Sequence, residues 1–258
     1  MAQLQAKGRV RVVDLRGRDL GPCDRVRAER LLNMGKARLV AEDPLTIQIA
    51  REVTLPDTTL RQGGPAVAPG TPLLLHICCG PCATYPVPHL RELGFAVQGW
   101  WYNPNIQPSA EYIQREESAR AYAVRVDLAL ASGPYEPERY EAAVRGQTAH
   151  PARCRECYRL RLEETAREAQ RRRIELFTTT LLVSPYQDQE ALRQIGEEVA
   201  GRYGRRFYFE NMRRGWATRG RLAREYGLYR QQYCGCRFSL AERQAALAQP
   251  AVPQEESD

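Results

Sequence analysis

The stretch LLLHICCGPCATYPVPHLRELGFAVQGWWY, residues 73–102, decides the fold. LLLHI is a short apolar run bounded by turn residues, which reads as a buried strand. The residues from about Ala83 to Leu93 carry a helical pattern, and FAVQGWWY returns to a strand pattern. Strand, turn, helix and strand in this order form a βαβ unit, whose two strands lie parallel.

Working outward, the alternation continues. Helices are expected from about Ser109 to Ala123, Cys154 to Arg171, Asp188 to Tyr203 and Arg219 to Tyr226, with strands at ELFTTT and RFYFE. The fold class is therefore α/β, a parallel sheet flanked by helices. Sites in such sheets form beyond the carboxyl ends of the strands. Here those ends carry the loops CCGPC, YNPNIQPS and LLVSPYQD.

Toward the N-terminus a separate small α+β module is expected over residues 1–55. It comprises a strand at VRVVDL, a turn GRDLGPC, a helix from Asp24 to Met34 with Asp24 as N-cap and Gly35 as C-cap, and a strand pair in ARLVAEDPLTIQIA. Between Lys7 and Arg38 it holds ten basic and four acidic side chains, a net +6. Residues 56–70, rich in Pro, Gly and Thr, read as a linker. Residues 71–249 form the main domain, and 250–258 an acidic disordered tail.

The 258 residues are 43% hydrophobic, enough for a real core, which excludes disorder as the main state. No run reaches the ~20 apolar residues of a membrane span, and the start lacks the apolar run of a secretory signal. A cytoplasmic protein with no membrane partner is expected. The 38 basic against 31 acidic residues give +7, which favours an anionic partner such as nucleic acid. Compositional bias explains the same skew, since only Lys7 and Lys36 are lysines.

Eight cysteines without an export signal point to metal, cluster or redox chemistry rather than a disulfide framework. Cys23 stands alone and reads as a small core residue. The others fall in three groups: Cys78, Cys79 and Cys82; Cys154 and Cys157; Cys234 and Cys236. The first group lies on a strand-to-helix turn, where backbone amides favour thiolates. Cys154 and Cys157 sit at i and i+3, so both sulfurs leave one helix face. Two such pairs satisfy either a zinc site or an iron–sulfur cluster. A closed zinc site would leave three cysteines idle, and the Cys234-Gly235-Cys236 pair suggests redox traffic.

Softer candidates accompany them. His76 is a core histidine or a proton donor. Trp100, Trp101 and Tyr102 are core aromatics or a base platform. Thr178, Thr179, Thr180, Ser184 and Tyr186 suit sugar or phosphate contacts, or plain turn capping. Arg213, Arg214 and Trp216 combine guanidinium with indole, a nucleic-acid signal.

The runs HICCGPCATYP, YNPNIQP with Glu111 and Tyr112, CRECYRLRLEETA, FTTTLLVSPY, IGEE and YRQQYCGC resemble the QueH type of epoxyqueuosine reductase, over roughly Leu73 to Phe238. The resemblance implies reduction of the epoxide of epoxyqueuosine at the tRNA wobble position to queuosine, the last step of queuosine biosynthesis. It implies a [4Fe-4S] cluster on Cys78, Cys79, Cys154 and Cys157, a redox-active pair at Cys234 and Cys236, and a position at Cys82 suited to a second mononuclear metal ion. The implied partners are tRNA carrying epoxyqueuosine and an electron donor protein or reductant. The implied sheet is that of the adenine-nucleotide hydrolases (HUP-like), without their SGGxDS phosphate loop, so ATP is not expected. Two departures stand out: Ile77 where relatives often carry cysteine, and Gln187 and Gln189 where basic side chains are common.

The N-terminal module resembles the small N-terminal domain of IscB-type proteins, with its PLMP-like turn degraded to Asp19-Leu20-Gly21-Pro22. Arg25, Arg27, Arg30 and Lys36 would suit RNA phosphates. Two rival readings of the whole remain at this point: a zinc-stabilised RNA-binding protein without catalysis, and a metal-free thiol–disulfide oxidoreductase.

Overall fold

The computed structural model describes residues 10–15, 17, 19–49 and 67–248. The chain divides into two compact units, Met1–Thr59 and Leu60–Asp258. Most of the expected linker and the acidic tail lie outside the described residues.

The first unit is a four-stranded mixed sheet in the order β2-β1-β4-β3, with β1 Val10–Val13, β2 Asp19–Cys23, helix α1 Arg25–Asn33, β3 Ala37–Glu42 and β4 Leu45–Ile49. Asp24 caps α1 as expected, its carboxylate accepting from the Arg27 N–H at 2.8 Å. Gly35 lies one residue beyond the C-cap Met34, at φ +61°. The expected turn GRDLGPC is corrected: its second half is a strand, β2, antiparallel to β1. Pro22 lies on β2, an edge strand of the sheet, where proline is tolerated. Val10, Val12, Ala28, Ile47 and Ile49 form a small core, against which Cys23 packs, a structural role as expected.

The second unit carries the α/β fold. Five parallel strands run in the order β7-β6-β5-β8-β9: β5 Thr71–His76, β6 Phe95–Trp101, β7 Leu130–Ser132, β8 Leu176–Thr179 and β9 Arg206–Phe207. Central β5 is apolar on both faces, with Leu73, Leu74 and Leu75 fully buried, as a sheet covered by helices requires. Its helices are α2 Gly80–Ala83, α3 Pro86–Glu92, α4 Ser109–Arg125, α5 Pro137–Ala143, α6 Ala152–Arg171, α7 Gln189–Arg202, α8 Trp216–Glu225 and α9 Arg237–Ala248.

The differences from expectation have local causes. The single helix expected at 83–93 is two, because Pro86 lacks the N–H that would continue the ladder and instead opens α3. Strand RFYFE shortens to two residues, Arg206 and Phe207, which pair with Leu176 and Phe177 of β8. Helix α8 starts a turn early, at Trp216. Short β7, α5 and α9 were too weakly patterned to be read.

The strand order reverses direction at β5. β6 and β7 lie on one side and β8 and β9 on the other, so a crevice opens at the carboxyl ends of β5 and β8. The register pairs His76 with both Trp100 and Thr179, which brings the loops after all three strands together. Among the described residues no helix is long and apolar enough to cross a membrane.

Candidate metal and redox centre

Cys78 and Cys79 leave the end of β5 directly into this crevice. Cys79 is the N-cap of α2, and its sulfur accepts the Cys82 N–H at 3.3 Å. Gly80 follows because α4 passes so close that a Cβ would lie 2.7 Å from the Ser118 carbonyl oxygen. The Sγ atoms of Cys78, Cys79 and Cys82 all lie within 4.8 Å of one another. Among the described residues this is the one group of three or more candidate ligands that close. Tetrahedral thiolate sites with bonds of about 2.3 Å hold their sulfurs about 3.8 Å apart, so this donor set fits a thiophilic metal or one face of a cluster.

Of the three, Cys79 is the thiol most favoured to ionise. At Cys79, burial opposes ionisation but is outweighed by hydrogen bonds with Cys78 and Cys82 and by the Arg219 guanidinium, so its thiol sits well below the ordinary value. Gln231 adds a donor, Nε2 at 3.1 Å. Cys78 is pushed well up by its bonds to Cys79 and Cys82 and then by burial. At Cys82 the bond with Cys78 favours the thiolate, yet the bond with Cys79 and burial prevail and push it up to about 12. Thr180 clasps Cys78, accepting its N–H at 3.0 Å and donating to its sulfur at 3.2 Å.

The other four cysteines of this unit interact with one another electrostatically. Cys154 and Cys157 project from the first turns of α6, as their spacing predicts. Burial and then the nearby Cys234 raise Cys154 to about 11. Burial also raises Cys157, to about 12, against the pull of Arg161. Cys236 goes the other way: burial opposes its thiolate, but hydrogen bonds from Ser239 and Tyr140 win. The Ser239 N–H reaches its sulfur at 3.4 Å because Cys236 immediately precedes α9. Cys234 is exposed. Their shared loop is pinned: Arg115 donates to the carbonyls of Cys234 and Tyr233 at 3.0 and 3.1 Å, and Gln107 N–H to that of Gly235 at 2.9 Å. Gly235 is required by φ +137° and by Asn105, whose Nδ2 would lie 3.0 Å from a Cβ.

Arg161 joins the two groups. It is 3% exposed, and its charge faces Cys157, Cys234 and Cys78 rather than a carboxylate. Its Nε donates to the Cys157 carbonyl at 3.2 Å, while Nη2 has no partner. Other buried polar atoms beside the cysteine loops are also without partners: Asn103 Oδ1, both polar atoms of the Asn105 side chain and Gln231 Oε1. Buried polar atoms normally find partners, so this cluster marks a polar or metallic guest.

The structure decides the softer candidates. His76 is a core histidine: fully buried, it donates Nε2–H to the Tyr102 carbonyl at 3.1 Å and accepts at Nδ1 from Thr179 at 2.8 Å. Burial and Arg161 lower it to about 3, so it is held neutral. Trp100, Trp101 and Tyr102 are at most 4% exposed, hence core and not a base platform. Thr178, Thr179 and Thr180 are buried, with Thr180 serving Cys78; Ser184 caps a turn by accepting the Tyr186 N–H at 3.2 Å. Arg214 pairs with Glu210 at 3.0 Å. Reading from sequence missed Arg161, Arg219 and Gln231. Arg161 had a signal, lying at i+4 from Cys157 on one helix face.

Residues 73–242 match the family described as Epoxyqueuosine reductase QueH. Proteins of that description from Thermotoga maritima and Dehalococcoides mccartyi are 38% and 36% identical over 185 and 180 residues, each covering 69% of this chain and 94% and 98% of the relative. One from Helicobacter pylori is 37% identical over 180 residues, covering 65% of this chain and 49% of the relative. A solved structure described as a predicted subunit of a tRNA methyltransferase from Methanocaldococcus jannaschii aligns with TM-score 0.43 and 16% identity, over 60% of this chain and 75% of that one. With the match running from within β5 into α9 and taking in all three cysteine groups, the chain belongs to the QueH epoxyqueuosine reductase family.

Proposed function

We propose that this protein reduces the epoxide of epoxyqueuosine at the wobble position of tRNA to queuosine, in the cytoplasm, with a [4Fe-4S] cluster held by Cys78, Cys79, Cys154 and Cys157. One observation carries the reading: the sulfurs of Cys78, Cys79 and Cys82 lie within 4.8 Å of one another beside buried polar atoms that lack partners, and the charge of Arg161 faces Cys78 as well as Cys157 and Cys234. When bound, such a cluster supplies electrons one at a time. Cys82, beside Cys78 and Cys79, suits a second mononuclear metal ion. Arg161 and Arg219 offset the thiolate charge, which water cannot reach to screen.

The Cys234 and Cys236 thiols supply the pair of electrons. Joining as a disulfide they give up two electrons and the Cys234 proton; the epoxide takes these with a second proton from water, loses its oxygen as water and becomes an alkene. The Cys236 thiolate is stabilised by Ser239 and Tyr140, and Cys234 is open to solvent, so an electron donor protein or reductant can reach the pair to restore it. His76 lends no proton, being neutral and fully engaged.

Iron and sulfide assays with the visible spectrum of anaerobically purified protein test this, followed by turnover of epoxyqueuosine-tRNA with a competent donor. About four irons per chain and queuosine formation are expected. Cys154→Ala should lose the cluster, and Cys234→Ala should keep it and lose turnover. Protein that binds no iron and leaves the tRNA unchanged would refute the reading. The zinc-stabilised binding protein predicts a colourless zinc form, and gives the Cys234 and Cys236 pair no task.

The N-terminal unit lies outside the family match. We assign it as a small RNA-binding module over residues 1–55, akin to the N-terminal domain of IscB-type proteins, joined by a linker at 56–70 to the reductase domain at 71–249, with a tail at 250–258. Its support is the basic bias of residues 7–38 and the exposed Arg27, Arg30 and Lys36.

A further inference from the structure

We infer that Tyr186 and Trp216 form a stacking site for an unpaired nucleobase of the RNA, set against the cysteine centre by Arg219; the inference rests on the reductase reading above. Three observations place it. First, Tyr186 is 65% exposed, and among the described residues it is the one exposed Phe, Tyr or Trp. Burial cannot explain an aromatic there, whereas a planar partner from solution can. The Ser184 hydroxyl holds its backbone N–H, so the ring stands on a fixed turn rather than a loose one.

Second, the ring is braced. Tyr186 and Trp216 meet with centroids 5.6 Å apart and planes at 78°, a nearly square corner of two π surfaces. Trp216 is in turn backed by Arg219, whose guanidinium carbon lies 4.2 Å from the indole centroid. A base entering this corner stacks on one ring and meets the edge of the other, with cationic charge behind the indole.

Third, the corner is tied to both cysteine groups. Arg219, whose guanidinium backs the indole, also reaches Cys82 Sγ through Nη2 at 3.8 Å. Next to Tyr186 in the chain, Gln187 turns inward: its Nε2 stands 4.0 Å from Cys234 Sγ, and its Oε1 accepts from Tyr158 at 2.9 Å. A base held by Tyr186 is therefore anchored on the same short turn that contacts the redox pair, and on the same arginine that contacts the metal-suited triad. Stacking is indifferent to base identity, so this site selects for an unpaired, splayed nucleotide rather than for sequence.

The molecule supplies its own reporter. Of its three tryptophans, Trp100 and Trp101 are 4% and 0% exposed, which leaves Trp216 as the one open to a ligand. The full-length, iron-loaded chain is titrated with a synthetic anticodon stem-loop RNA and with a fully paired duplex of the same composition. Tryptophan emission and the anisotropy of end-labelled RNA are both followed. The stem-loop should quench emission and the duplex should not. Tyr186→Ala should weaken stem-loop binding about tenfold or more, and Tyr186→Phe should retain it. Trp216→Ala should remove the quenching and weaken binding, and Tyr186→Ala should raise KM for epoxyqueuosine-tRNA more than it lowers kcat. Iron content should stay that of the parent. Because Tyr186 is exposed, its variants test the site even where Trp216→Ala folds poorly. Binding by Tyr186→Ala with the parent's affinity, or equal quenching by the duplex, overturns the inference while leaving the reductase reading in place. A parent chain that neither binds the stem-loop nor reduces the modified tRNA overturns both.

Discussion

Arg161 is the residue on which the centre turns. A buried guanidinium with an unpartnered nitrogen, facing sulfurs of both groups, is tolerable only where negative charge gathers around it. Arg161→Met should therefore lower iron retention and move the midpoint potential of the remaining centre to more negative values, because an added electron loses its nearest cation. Arg161→Lys should restore part of both; a redox titration followed spectroscopically measures the shift, and an unchanged potential in Arg161→Met would remove this role. His76 teaches the converse lesson. Its place beside the cysteines in sequence suggests chemistry, yet both ring nitrogens are consumed by Thr179 and Tyr102.

At the scale of elements, helix starts position the sulfurs. Cys79 caps α2 and Cys236 precedes α9, and both are the lowered thiols of their groups. Gly235→Ala should break the second arrangement, since the substitution meets Asn105 and a positive φ at once. The strain costs about 1–3 kcal/mol. Turnover should fall sharply with iron content retained, which parallel iron and queuosine assays check. Away from the centre, Glu210 ties α3 to the chain beyond β9, accepting from His89 at 2.8 Å and Arg214 at 3.0 Å. Burial pushes this carboxyl up, but the hydrogen bond and charge of His89, with Tyr208 and Arg214, hold it below its ordinary 4.5. A lowered folded-state value means the stabilisation is present above 4.5 and fades as pH falls through the lower folded value. Glu210→Gln should thus cost about 1 kcal/mol in urea melts at pH 7, with the gap to the parent closing below pH 4.5.

At the scale of the molecule, the two units have separate cores, one with a cluster of five buried apolar side chains among the described residues and one built around the five-stranded sheet. The Thermotoga maritima relative is covered over 94% of its length by a match to 69% of this chain, so the reductase unit corresponds to nearly a whole protein there. A chain beginning at Leu60 should therefore keep its iron and reduce an epoxyqueuosine-containing stem-loop at a rate within about twofold of full length. Loss of the cluster on truncation would show instead that the N-terminal unit is needed for the centre. Full-length tRNA binding at low salt is where the basic module should matter, and its contribution should fade as salt rises, because phosphate contacts weaken with ionic strength.

By itself, the sequence determined the parallel α/β sheet, the loops at its carboxyl ends and the grouping of seven cysteines, because apolar periodicity and ligand spacing are local properties that a chain displays along its length. It also placed Cys154 and Cys157 on one helix face. Only the tertiary structure decided that the sulfurs of Cys82, Cys78 and Cys79 lie within 4.8 Å of one another, that buried Arg161 and half-buried Arg219 are the cations facing them, and that Trp100 and Trp101 are core while Tyr186 is exposed and Trp216 partly so. Those outcomes depend on contacts between residues up to 137 positions apart, such as Arg219 with Cys82, and on which face of each element the core consumes. Neither is written in local pattern.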